Sequence, residues 1–285
     1  VHFNTDSPEI RIRWKLAGEQ LGEDNFNIIS FSGMDLYVHD GASWRCAATT
    51  PHFQVKDTSP EVCMIEGLTP EMRRCRVYLP QRNPLLKVEF GVVSDAVFEP
   101  VPPRRNPPLV YYGTSIVHGA FTARSGLGCP QILARNLDLP LVNLGFSGNA
   151  KMEAELAALF AELDAAMFLV DPLANMDAKL VKERAEPFLR ILCGKRPDVP
   201  VFQIESPQPF GAWIKPADVI AYREKVAEYR AAFAALSREG VRNLHYIDAS
   251  SFYGDDNDAS TDYVHPNDLG HKRMSDGLLS ALSPV

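Results

Sequence analysis

The stretch Pro100–Pro108, PVPPRRNPP, constrains this chain more than any other. Proline has no amide hydrogen and holds φ near about −65°, so such a segment can be neither helix nor central strand. A stiff linker over 101–108 is the expected result. The residues on its two sides differ in texture, which predicts two domains, 1–100 and 109–285. A length of 285 residues is enough for both, and 46% hydrophobic residues can fill their cores.

Before the linker the pattern is β. Ile10, Ile12, Trp14 and Leu16 alternate with Arg11, Arg13 and Lys15, as a half-buried strand requires. Asp40-Gly41 follows MDLYVH as a hairpin turn signal. Leu86, Val88, Phe90 and Val92 alternate with Lys87, Glu89 and Gly91. Short strands between turn signals predict an all-β sandwich or jelly roll.

After the linker, short apolar runs alternate with helical stretches. The runs are 109–113, 139–145, 166–171, 199–204 and 243–248. The clearest helical patterns lie over 152–163 and 217–238. A last helix is expected to open at Pro266 with Leu269, Met274, Leu278 and Leu282 as its stripe. Five βα units predict an α/β/α sandwich on a five-stranded parallel sheet.

Ligands of such sheets bind at the carboxyl ends of the strands. The residues just past the runs there include Ser115, Gly148, Asp171 and Asn175, and beyond a polar loop Asp262 and His265. A serine hydroxyl needs an adjacent base to attack a carbonyl. His265 can supply it and Asp262 can orient it. The amides of Ser115 and Gly148 and the side chain of Asn175 are candidate donors to a developing oxyanion. His118, Phe210 and Trp213 are candidate substrate contacts, with a surface position for His118 and core or hinge packing for the two aromatics as the equal alternatives.

From about Tyr111 to Leu282 the chain resembles the SGNH (GDSL-type) serine hydrolase family. The markers are Ser115 in GTS, Gly148 in FSGN, Asn175 in LANM and His265 in the DxxH motif DYVH. The resemblance implies a flavodoxin-like sheet, a serine nucleophile, and Gly and Asn as oxyanion-hole donors. Two blocks depart from the usual pattern. GTS stands in place of GDS, and Met176 follows Asn175 where GxND has Asp. Both variants are similar to a subgroup with an N-terminal jelly-roll-like domain, which includes carbohydrate-active esterases and at least one acyltransferase. The implied function is a serine esterase that removes a short acyl group, acetyl first among them, from a hydroxylated substrate such as a saccharide. An acyltransferase using the same acyl-enzyme is the alternative. A carbohydrate-binding protein with a degenerate hydrolase domain is the non-enzymatic one.

Each residue also has a plainer reading taken alone. Ser115 could be a turn residue, Gly148 a turn glycine, Asn175 a helix cap, and Asp262 with His265 a helix-entry pair. A rival site exists in Gly145-Phe146-Ser147-Gly148-Asn149, which nearly matches the GxSxG elbow, with Asp248 and His265 completing a triad. GDDNDAS over 254–260 lacks the central glycine and terminal glutamate of a calcium loop and reads as solvated.

Bulk properties narrow the partners. The formal charge of −7, without a basic stripe, argues against nucleic acid. No apolar stretch approaches a membrane span. The five cysteines, Cys46, Cys63, Cys75, Cys129 and Cys193, have no metal-ligand spacing and are expected to be buried free thiols, with no cofactor. No signal-peptide pattern is present, but the first residue is Val1, so the export question stays open; a soluble protein is expected, cytoplasmic or exported with its signal removed.

Overall fold

A computed structural model describes residues 1–282. The chain forms two compact units, one of Val1–Arg105 with Phe121–Leu127, the other of Asn106–Ala120 with the chain from Gly128 onward. The boundary therefore falls inside the proline-rich stretch. The expected division into 1–100 and 109–285 needs one correction, because Phe121–Leu127 belongs to the first unit. Residues 283–285 of the expected second domain lie outside the described residues.

The first unit contains β1 (His2–Thr5), β2 (Ile10–Leu16), α1 (Ile28–Ser32), β3 (Asp35–His39), β4 (Trp44–Thr49), β5 (Glu61–Ile65), β6 (Arg73–Tyr78), β7 (Leu85–Val92) and β8 (Phe98–Pro100). They form two sheets, in the orders β4-β3-β6-β1-β8 and β5-β2-β7, with antiparallel pairing. The alternation in β2 decides its orientation: its Ile, Trp and Leu are buried and its Arg and Lys exposed. Trp14 donates its indole N–H to Ser32 O at 3.0 Å, so the ring is buried without an orphan donor. Phe3, Leu36 and Val77 of one sheet share a core with Ile12, Trp14 and Val62 of the other. Asp40-Gly41 makes the β3–β4 turn, with Gly41 at φ 98°.

Phe121–Leu127 is tied into this unit by hydrogen bonds. The buried Asp35 carboxylate accepts from Gly126 N at 2.7 Å and from Arg124 Nη1 at 2.9 Å. Arg124 also donates to Tyr37 Oη at 2.8 Å. A Cβ on Gly126 would lie 2.8 Å from the Tyr37 ring, so only glycine fits there. Asn27, the N-cap of α1, donates to Thr122 O at 2.8 Å, and Gln81 donates to Ser125 O at 3.1 Å.

The second unit holds β9 (Leu109–Gly113), α2 (Ser115–His118), α3 (Cys129–Asn136), β10 (Leu141–Gly145), α4 (Ala154–Phe160), β11 (Met167–Asp171), α5 (Ala178–Lys195), β12 (Val201–Ile204), α6 (Pro216–Arg238), β13 (Leu244–Ile247) and α7 (Asp268–Leu282). The strands run parallel in the order β10-β9-β11-β12-β13, the flavodoxin-like arrangement. β9 is an interior strand, between β10 and β11, and is buried at every position, because both faces are covered. Val110, Tyr112, Phe168 and Val170 face one core, with residues of α4, α5 and α6. Leu109, Tyr111 and Leu169 face the other, with residues of α3 and α7.

Two helix boundaries differ from expectation. The pattern over 152–163 gives a helix only over Ala154–Phe160. The last helix opens at Asp268, capped by Asn267 Oδ1, which accepts from the amides of Leu269 and Gly270. A side-chain acceptor at 267 terminates the turn better than Pro266, and Leu269 is exposed while Met274, Leu278 and Leu282 are buried. The cysteine expectation fails for Cys46, which is exposed on β4, and for Cys63, which is partly exposed.

Candidate active site

β9 ends at Gly113, and Thr114 turns the chain into α2 by accepting the Ile116 amide on its hydroxyl. Gly113 is required by space: a Cβ there would meet Val117 at 2.4 Å and Asp171 O at 2.7 Å. Ser115 is thus the first residue of a one-turn helix at the carboxyl end of β9.

Ser115 Oγ lies 2.9 Å from His265 Nε2. His265 Nδ1 lies 2.8 Å from Asp262 Oδ2. The second carboxylate oxygen, Oδ1, accepts from the amides of Val264 at 3.0 Å and His265 at 2.7 Å. Partial burial pushes the Asp262 pKa up, but the amide and ring of His265 and the Val264 amide outweigh it, and the net shift is below the ordinary carboxylate value. Asp262 is therefore an anion at neutral pH, and it fixes the proton on Nδ1. The Nε2 lone pair then faces the serine hydroxyl. The histidine backbone is held too, since His265 O accepts from Ser260 Oγ at 2.8 Å and Thr261 N at 3.2 Å.

The oxyanion candidates come from two short turns. Gly148 lies in the turn Ser147–Asn149 after β10, and Asn175 in the turn Leu173–Asn175 after β11. No protein acceptor takes the amide hydrogen of Ser115 or Gly148 among the described residues. A Cβ at Gly148 would meet nothing within 4 Å, so the chain is open on that side. Asn175 Nδ2 donates to Ser147 O. A carboxamide has two N–H groups, so this bond orients the side chain and leaves one donor. Lys225 of α6 supports the turn by donating to Leu173 O at 2.9 Å. Asp171, at the end of β11, is buried beside Tyr111, and burial pushes its pKa up to about 7.

The rival elbow triad is not assembled. Ser147 Oγ lies 3.1 Å from His118 Nδ1, while His265 is engaged by Ser115. Asp248 accepts from Arg230 at 3.3 Å and from Ser250 N at 3.0 Å. Of the expected substrate contacts, Phe210 is buried and stacked on Tyr253 with centroids 4.6 Å apart, so it belongs to the core. Trp213 is 70% exposed. The acidic loop is anchored by Asp256, which accepts from Arg273 Nη1 and Nη2 at 2.7 Å each. One group of potential metal ligands occurs among the described residues, Glu9, Cys63 and Glu66 on the first unit, and Glu9 is already paired with Arg11.

A serine, a histidine and a carboxylate in series, beside amides with no protein acceptor among the described residues at the rim of a parallel α/β sheet, have the arrangement of a serine-hydrolase site. The chain belongs to the GDSL-like lipase/acylhydrolase family, whose profile matches residues 106–283. Residues 1–98 match the GxDLY profile, the N-terminus of SGNH-hydrolase-type esterases. Its motif is here Gly33-Met34-Asp35-Leu36-Tyr37, the segment that holds Arg124 and Gly126. Among solved structures, a protein from Bacteroides ovatus ATCC 8483 assigned as a GDSL-like lipase is similar at 30% identity and TM-score 0.92, over 99% of this chain and 83% of that one. The salicylyl-acyltransferase SsfX3 of a tetracycline biosynthetic pathway is similar at 21% identity and TM-score 0.76, over 99% and 82%. A family two carbohydrate esterase from Clostridium thermocellum is similar at 15% identity and TM-score 0.70, over 99% and 91%. No curated protein matches by sequence. The chain is thus an esterase-type hydrolase, and no helix among the described residues is long and apolar enough to cross a membrane.

Proposed function

We propose that the protein removes a short acyl group, acetyl foremost, from a hydroxylated substrate such as a saccharide, through an acyl-enzyme on Ser115. The observation that carries this reading is the contact of Ser115 Oγ with His265 Nε2 at 2.9 Å, backed by Asp262. Nε2 takes the hydroxyl proton as Oγ attacks the ester carbonyl, and the Asp262 anion stabilises the imidazolium. The carbonyl oxygen gains charge among the amides of Ser115 and Gly148 and the second N–H of Asn175. Collapse of the tetrahedral intermediate releases the alcohol, which takes the proton back from Nε2. Water, activated by the same nitrogen, then frees the acid.

The saccharide element is supported by the fold shared with carbohydrate esterases, one of them solved with cellohexaose, and by the exposure of Trp213, whose ring can stack on a sugar face. A second reading, transfer of the acyl group to another alcohol, is supported by the likeness to the salicylyl-acyltransferase, which has the higher TM-score. The test is mixing with 4-nitrophenyl acetate. A burst of nitrophenol equal to the enzyme, with one acetyl on the peptide containing Ser115, is expected. Acetate release from a panel of acetylated sugars then identifies the alcohol. Conversion of added acceptor alcohols to esters, with little free acetate, replaces hydrolysis by transfer.

A further inference from the structure

We propose that His118 is a positioning residue, which fixes the oxyanion turn through Ser147 and so aims the Gly148 amide; this rests on the reading of Gly148 as an oxyanion donor. His118 is the last residue of α2, one turn after Ser115 and on the same helix face. Its Nδ1 meets Ser147 Oγ at 3.1 Å. The helix that carries the nucleophile thereby also grips the neighbouring turn.

Three further contacts press that turn onto the nucleophile segment. Phe146 donates its amide to Gly113 O at 2.8 Å. Asn143 donates to Val117 O at 2.8 Å and accepts from Gly145 N at 2.9 Å. A Cβ on Gly145 would lie 2.2 Å from His118 N, so the end of β10 touches the backbone of α2 with no side chain between them. The next free variable is the conformation of Ser147. It has φ 51°, in the left-handed region. A non-glycine residue there costs about 1–3 kcal/mol and persists only where its surroundings demand it. The surroundings do so from two sides: His118 engages the hydroxyl, and Asn175 donates to the carbonyl.

That carbonyl belongs to the Ser147–Gly148 peptide, whose N–H is the Gly148 donor. Rotation of the peptide plane moves both groups together. Holding Ser147 at its hydroxyl and its carbonyl therefore sets where the Gly148 N–H points. The strained residue does not itself react; it stores the orientation of the next amide.

A donor misaimed by about 1 Å costs up to roughly 10²-fold in rate, and loss of the donor costs about 10²–10³. With 4-nitrophenyl acetate as the probe, His118→Leu and Ser147→Ala are each expected to lower kcat about tenfold, with KM unchanged within about twofold. The double variant is expected to be no worse than either single one, since both break one contact. His118→Asn is expected to recover most of the activity, because its amide sits at the side-chain position of Nδ1. Unchanged kcat in His118→Leu overturns the proposal. So do multiplying effects in the double variant, a His118→Asn as poor as His118→Leu, or a rise in KM alone, which makes His118 a substrate contact. Thermal melting of each variant separates these results from loss of fold, with Ser147→Ala standing in should His118→Leu not fold. The acyl-enzyme reading fails on a different result, persistent turnover in Ser115→Ala.

Discussion

Two serine–histidine contacts in the second unit have nearly equal length, and they differ in which ring nitrogen meets the serine. Ser115 meets His265 through Nε2, and a carboxylate that itself accepts two amides holds Nδ1. Ser147 meets His118 through Nδ1 itself, so that ring position is taken by the serine. Ser115 opens a helix at the end of β9, and its amide has no protein acceptor among the described residues. Ser147 sits in a left-handed turn with its carbonyl and hydroxyl both engaged. A Ser–His distance alone therefore identifies no nucleophile. The group that fixes the imidazole proton, and the freedom of the serine backbone to serve an oxyanion, tell the two apart.

The largest expected effect falls on Ser115→Ala, which removes the covalent step and is expected to lower kcat by at least about 10⁴-fold with the circular dichroism spectrum unchanged. An active Ser115→Ala beside an inactive Ser147→Ala breaks the comparison outright. Next comes Asp262→Asn, which keeps the shape but loses the anion; about a 10³-fold fall in kcat is expected in steady-state assays. A fall of less than about tenfold would reduce Asp262 to a loop-former. Asn175 comes third. If it merely capped a turn, Asn175→Asp would be mild. As an oxyanion donor it is expected to lose at least about 10²-fold in kcat on change to Asp, as much as on change to Ala, with KM less affected.

The smallest effect concerns a third histidine that has neither serine nor carboxylate. His271 is fully buried on α7, donates from Nε2 to Ala120 O at 2.9 Å and accepts at Nδ1 from Cys129 N at 3.2 Å. Burial pushes its pKa down to about 4 from 6.5. It folds neutral, so its contribution is present above about pH 6.5 and is lost as pH falls toward about 4. The melting temperature is expected to drop by a few degrees between pH 7 and pH 5. His271→Gln is expected to flatten that slope, as read by scanning calorimetry. An unchanged slope would mean that other groups set the acid limit.

Periodicity made the parallel sheet legible because β9, β11 and β12 are apolar runs buried on both faces, and β2 was legible because it is buried on one. The series of contacts Ser115–His265–Asp262 could be anticipated because loops at the carboxyl ends of the strands converge in such a sheet, whatever the intervening sequence. Whether Phe210 is core or substrate contact stayed open in the sequence, because an aromatic residue past a strand reports hydrophobicity, not which partner, here Tyr253, covers it. His118 was found, but its contact with Ser147 joins residues on different βα units, and neither spacing nor composition encodes that pairing. The same is true of Arg124 and Gly126, whose partner Asp35 lies far upstream in an ordinary-looking strand.

Phe121–Leu127 has a consequence for how such a chain can be cut and recombined. Its gene invites a crossover at the proline-rich stretch, as between beads on a string. A catalytic module grafted from Asn106 onward would carry Arg124 and Gly126 without the carboxylate of Asp35, and the donated β module would keep a buried Asp35 with those two donors missing. A buried anion stripped of donors is costly. An exchange of the β module that keeps Asp35 paired therefore has to move two pieces of chain at once, Val1–Arg105 and Phe121–Leu127.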